Sequence, residues 1–532
     1  MLQRVARFRV PLIASMVVSI TARADDLPQR IDALIVAAEQ GAEFGPVCDE
    51  ASFVRRAYLD FAGRIPSYVE TTAFLAGSLP DKRDRVIDAL LAGPDYPRRM
   101  HDLFHAMLME RRGDHAEWTT FLTTAFAENK PWDQLVKEIL DPRADQEVLR
   151  GAAFFHTRRL EKVGQQETDY PSLTRDIGRL FLGMDLQCAQ CHDHLQILQY
   201  KQADFQGLFV VLQNSFIRTD VKFPAVGENI IKQKLNFMSV FEKVPMTVGP
   251  RVPGRQEFEI VTFEKDQEFL VPPDRAKNFP GTPKFRGLEL LAKDLPTTEN
   301  RAFATNLANR LWFVMFGRGL VNPLDQIHTA NPASHPAVLE LLTDEVIARK
   351  FDIKSILAAL ARTDAYQRTG SIPEGIESPT ATSYRYFREK RLSAEQLLAS
   401  VIVATGSREF MATGLDDDKV RTAFIKAFGN VPQDPEIDFM PSLKSSLFVM
   451  NDPLILDRLT PAAGNLTDRL QAQSDAPALI TELYLCVLTR PPTDAEAAFA
   501  TEYLVRQAER RPAAIVNLAW ALLASTEFCL NH

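Results

Sequence analysis

A helix-start signal recurs along this chain and constrains its fold more than any other feature. A hydroxyl residue is followed three places on by Glu or Gln at Ser67–Glu70, Ser393–Gln396 and Thr493–Glu496. In such a box the hydroxyl accepts from an early amide of the helix, and the Glu or Gln side chain reaches back to the cap amide. Apolar residues at helical spacing predict further helices over 83–91, 98–111, 117–128, 132–140, 286–295, 300–316, 335–348, 354–362, 393–405, 476–488 and 493–508. The segment 173–190 reads as one longer amphipathic helix that tolerates Gly178 and Gly183. Between Val221 and Val271 the pattern changes, and short alternations at 244–248, 258–263 and 268–271, with Pro and Gly between them, predict strands. The stretch 272–283 reads as a loop or linker. The expected fold is mainly α: two largely helical domains with a small β-containing insert between them. The expected divisions are a signal peptide at 1–24, a helical domain at 25–215, an insert and linker at 216–285, and a helical domain at 286–532.

One echo runs within the chain. Tyr58, Leu59, Arg64, Pro66, Ser67 and Glu70 return at identical spacing as Tyr484, Leu485, Arg490, Pro492, Thr493 and Glu496. A true repeat should extend further, so we read this as two helix–turn–capping-box units reached independently.

The N-terminus carries an export signal. Arg4, Arg7 and Arg9 precede the apolar run Val10 to Ile20, and Ala22-Arg23-Ala24 supplies small residues for cleavage before Asp25. Its apolar run is too short to span a bilayer, and no later run approaches the ~20 apolar residues of a membrane helix. The chain is expected in the periplasm or cell envelope, without a membrane span after cleavage. The formal net charge of −8 argues against nucleic acid as a partner, since that needs a basic face. A redox protein or a cell-envelope protein is the expected partner.

Five cysteines in 532 residues do not make a disulfide scaffold. Cys48, Cys486 and Cys529 are isolated, and a bridge between some pair of them stays open. Cys188 and Cys191 differ, because they sit in LQCAQCHDH at 186–194. On a helix, Cys188, Cys191 and His192 share one face. Attachment of a c-type haem uses such a set, with two thiols bonded to the vinyl groups and an imidazole as proximal iron ligand. Three other uses stay open: a zinc site from Cys188, Cys191 and His194 with a fourth ligand from elsewhere, a redox disulfide between Cys188 and Cys191, and a helix end with no cofactor. For a sixth haem ligand, Met184 lies on the same side as Cys188, and His194 is too close to His192 to reach the opposite face. Met100, His101, His105, Met107 and Met109, on an earlier helix, are better placed, and an open sixth position would suit ligand binding.

No nucleophile elbow, zinc-protease helix or phosphate-binding loop is present, and no catalytic residue can be chosen from the sequence. The run Asp416-Asp417-Asp418 lacks calcium-loop spacing and reads as a solvated helix start.

Two longer stretches are familiar. FVRRAYLDFAGRIP at 53–66 and FLGMDLQCAQCHDH at 181–194 resemble the planctomycete cytochrome-c-like domain of unknown function. Asn300-Arg301, NRLWFVMFGRGLV at 309–321, Asp352 to Lys354, Arg391 to Gln396 and Asn451 to Pro453 resemble the partner domain that usually follows it. The resemblance spans roughly residues 30 to 530. It implies an exported bacterial protein of unassigned activity, whose Cys-x-x-Cys-His segment suggests a cytochrome. Many relatives have proline where this chain has Leu195, a departure that leaves the ligand set intact. Three functions follow as expectations: a haem-binding electron carrier, a non-catalytic envelope scaffold with a structural metal or disulfide at the motif, and a hydrolase of an extracellular polymer.

Overall fold

The computed structural model describes residues 26–410, 415, 417–434, 448 and 451–532. The expected signal segment and Asp416 lie outside the described residues. All three capping boxes form as their chemistry requires. Ser67 opens the helix Tyr68–Ala76, Ser393 opens Ala394–Thr405 and Thr493 opens Asp494–Arg506, each with its reciprocal bond to Glu70, Gln396 or Glu496. Apart from 173–190, the helices expected from periodicity lie within a turn of their predicted limits, among them Asp95–Met109, Trp132–Leu140, Arg301–Phe316 and Ala476–Leu488. Asp417 accepts from the amides of Lys419 and Val420 and starts the helix Asp418–Phe428. The fold is mainly α, with only short two-stranded sheets.

The chain between the helical parts forms three antiparallel pairs: Ser215–Ile217 with Val226–Glu228, Leu235–Met238 with Pro245–Val248, and Phe269–Val271 with Thr282–Pro283. The last pair takes its second strand from the stretch expected as linker. The strand expected at 258–263 does not pair. Phe258 packs on the main core, while Ile260 and Phe263 pack against Val210, Ile231 and Phe285, so burial of alternate side chains replaces a ladder.

One continuous core takes side chains from Leu27 to Leu212 and from Leu288 to Phe387. A second gathers residues 392–528 around Leu59 and Ile65. Arg55 and Arg56, on the helix Glu50–Phe61, are completely buried and tie distant segments together. Arg55 donates to the carbonyls of Val487, Phe528 and Leu530, and Arg56 to those of Tyr366, Arg368 and His532. The last residues close a short strand pair, Lys390–Arg391 with Leu530–Asn531. Among the described residues, no helix is long and apolar enough to cross a membrane.

Candidate functional site

The Cys-x-x-Cys-His segment does not lie on the long helix expected at 173–190. That helix runs Tyr170–Leu182 and stops where Gly183 takes a left-handed conformation, φ 66°. Glycine adopts this conformation freely. A side chain at 183 would also meet Ile327, whose amide donates to the Gly183 carbonyl. Met184 then bridges to Gln326, and Asp185 accepts from the amide of Gln187. Cys188–Gln190 forms a single 3₁₀ turn. Leu186 and Ala189 anchor it by packing on Phe205.

The turn is closed by backbone bonds among the expected residues. The amides of Cys191 and His192 both reach the Cys188 carbonyl, at 3.2 and 3.4 Å. The Cys188 and Cys191 thiols are exposed and not joined to each other. His192 Nδ1 lies 2.6 Å from the Asp193 carbonyl oxygen. A carbonyl can only accept, so Nδ1 carries the proton and Nε2 presents a lone pair, the tautomer a metal ligand needs. The ring packs on Phe241 at 4.5 Å, and the Val240 amide donates to the Cys191 carbonyl, so the arm after the strand Leu235–Met238 supports the turn. Leu195, Leu198 and Phe241 expose 74%, 75% and 61% of their surface around it.

Asp193 stabilises the return of the chain. Its carboxylate accepts from the Gln202 amide and Lys201 Nζ, both at 2.9 Å. Partial burial pushes its pKa up, but these two bonds outweigh it and hold the carboxyl below its ordinary range. His194 is arranged differently from His192. Its Nδ1 accepts from the amides of Gln196 and Ile197 at 3.2 and 3.0 Å, which leaves the proton on Nε2. Among the described residues, no group of three or more His, Cys, Asp or Glu is gathered to hold a metal ion. This holds for Cys188 and Cys191 with either His192 or His194.

Most of the sixth-ligand candidates on Asp95–Met109 are engaged elsewhere, although His101 Nε2 is buried without a hydrogen-bond partner among the described residues. His105 accepts from Trp118 Nε1 through Nδ1 and faces Asp114 through Nε2 at 2.8 Å. His101 is bonded to Asp102. Met100 and Met109 are core residues, and Met107 packs against the same core. Met184 is half-buried beside Leu186 and Phe205. The structure instead places His328 near the turn. Its ring stands edge-on to Tyr200 at 5.5 Å, and burial, helped by the nearby His194, lowers its pKa. Gln199 bonds to Thr329 beside it, at 2.7 Å. Nothing in the sequence around His328 pointed to the motif, since the contact joins segments more than a hundred residues apart.

Residues 30–216 match the family model described as PSCyt2, protein of unknown function (DUF1549). Residues 289–427 match the one described as PSD1, protein of unknown function (DUF1553). The chain therefore carries these two domains of unknown function in that order. No curated protein and no solved structure matches it.

Proposed function

We propose that the chain is a cytochrome-like electron carrier working outside the cytoplasm, with a c-type haem attached through Cys188 and Cys191 and bound at iron by His192. The observation that carries this reading is the tautomer of His192: Nδ1 is occupied by the Asp193 carbonyl and Nε2 is free, one turn from two exposed thiols. The donor set suits the group, since two accessible thiols can form thioethers and a neutral imidazole is an iron ligand. When bound, haem supplies a one-electron couple at the protein surface. The chain's own residues do the rest. Asp193, held by Gln202 and Lys201, fixes the loop that orients His192. Phe241, Leu195 and Leu198 offer an apolar surface beside the turn. The signal-like residues 1–24 agree with haem attachment outside the cytoplasm.

The test is expression in a host that matures c-type cytochromes, followed by acid–acetone extraction. A Soret band that stays with the protein, and is lost in the Cys188→Ala/Cys191→Ala variant, is the expected result. Colourless wild-type protein from the same host overturns the reading.

A further inference from the structure

Away from the Cys-x-x-Cys-His turn, a cavity of about 420 Å³ opens where distant segments meet, a size typical of a small-molecule site. Its wall takes Arg99 and Met107 from Asp95–Met109, Arg310 and Phe313 from Arg301–Phe316, and Lys390 and Asn531 from the closing strand pair. The buried carboxylates on the wall are satisfied, while Glu389 is exposed at its edge. Asp60 is held by Lys390, Asn531 and the Tyr366 hydroxyl at 2.7, 3.0 and 2.8 Å. Asp102 pairs with Arg421, Glu110 with Arg112 and Arg179, and Glu395 with Arg111.

Two cations on the same wall have no paired acid among the described residues. Arg99 and Arg310 are each only 6% exposed, and neither forms an ion pair among the described residues. Arg99 donates only through Nε, to the Asp60 carbonyl at 3.3 Å. Arg310 donates through Nε to Asn306 and through one terminal nitrogen to the Arg179 carbonyl. Both terminal nitrogens of Arg99 and one of Arg310 remain for a ligand. Burial lowers the pKa of both, that of Arg310 to about 10, although Asp60 near Arg99 and Asp325 near Arg310 oppose the shift. A buried charge is costly unless paired and hydrogen-bonded. The guanidinium fork matches the oxygens of carboxylate, sulfate or phosphate. Arg388 and Arg391 are exposed on the cavity lining, where they favour the approach of an anion. Leu103, Met107, Phe313 and Val314 leave apolar wall for an organic body.

We propose that this cavity binds a small organic molecule through an oxyanion group gripped by Arg99 and Arg310. The site is independent of haem attachment, so it stands or falls separately. The test titrates the full chain with sulfate, phosphate and benzoate at constant ionic strength, reading thermal stability, with neutral benzamide as control. At least one anion should stabilise the wild type and the Arg85→Gln surface variant. Arg99→Gln and Arg310→Gln should each weaken its binding about tenfold or more. Which anion binds best separates a carboxylate ligand from a sulfate or phosphate one. Equal stabilisation of wild type and both variants means an adventitious ion only, and overturns the proposal, as does no response to any anion or an equal response to benzamide. If the variants fail to fold, wild-type crystals soaked in selenate decide. Anomalous selenium density at Arg99 and Arg310 supports the site, and density confined to the surface overturns it.

Discussion

Arg490 and Glu496 meet as a two-pronged pair, each terminal guanidinium nitrogen 2.8 Å from one carboxylate oxygen. Arg64 and Glu70 form the same clamp at 2.8 and 2.9 Å. Each arginine also uses Nε on a second acid, Glu527 for Arg490 and Asp95 for Arg64. A tyrosine ring, Tyr484 or Tyr58, completes each set. The sequence echo therefore extends beyond the capping box to a whole side-chain network. The two copies also meet, since Leu59 and Ile65 share a core with Leu483 and Tyr484.

The copies differ in burial, and this sets the first prediction. The Arg64 side chain is 5% exposed and that of Arg490 25%. Breaking a buried pair strands charge away from water, whereas a part-exposed pair is screened. Arg64→Ala should destabilise by about 3 kcal/mol and Arg490→Ala by about 1 kcal/mol. Urea unfolding of both variants checks this. Equal losses would show that burial does not govern the pair.

Glu228 sets the pH dependence. Burial raises its pKa to about 7, with Asp141 adding to the rise and Arg286 and the Leu288 amide opposing it. The folded chain then holds a proton on Glu228 that the unfolded chain releases near pH 4.5. Stability should fall as pH rises from about 4.5 to 7, by a few kcal/mol at most from this group. Glu228→Gln removes the titration and should flatten that slope. Denaturant midpoints measured from pH 5 to pH 8 check it, and an unchanged slope in the variant would contradict it.

Much of the fold was legible because helix starts are local chemistry. Ser67, Ser393, Thr493 and Asp417 needed only neighbours within four residues to do their work. The misread segments are those where distant contacts decide. Leu173 to Gln190 has unbroken helical periodicity, but Ile327 closes over Gly183 and ends the helix there. Phe258 to Phe263 alternates like a strand, yet its apolar side chains found a packed surface rather than a partner strand. At the candidate site the Cys-x-x-Cys-His turn was visible as a motif. The tautomer of His192, the commitment of His194 to the backbone and the nearness of His328 depend on three-dimensional geometry that spacing does not encode. The cavity at Arg99 and Arg310 draws on six segments and left no sequence signature at all.

The thiols should separate into two classes. Cys188 and Cys191 are exposed, while Cys48 and Cys486 are buried, and burial pushes the Cys486 thiol up to about 12. In haem-free native protein, a thiol reagent should label Cys188 and Cys191 rapidly, and Cys48 and Cys486 only on unfolding. Peptide mapping after brief alkylation reads this directly. Fast labelling of Cys486 in the native state would contradict the packing around it.

The most direct test of haem attachment is the intact mass of chain matured in a c-type cytochrome host. A gain of one haem is expected, located by fragmentation on the peptide carrying Cys188 and Cys191. A native mass without haem, with both thiols alkylatable in protein from that host, would contradict it.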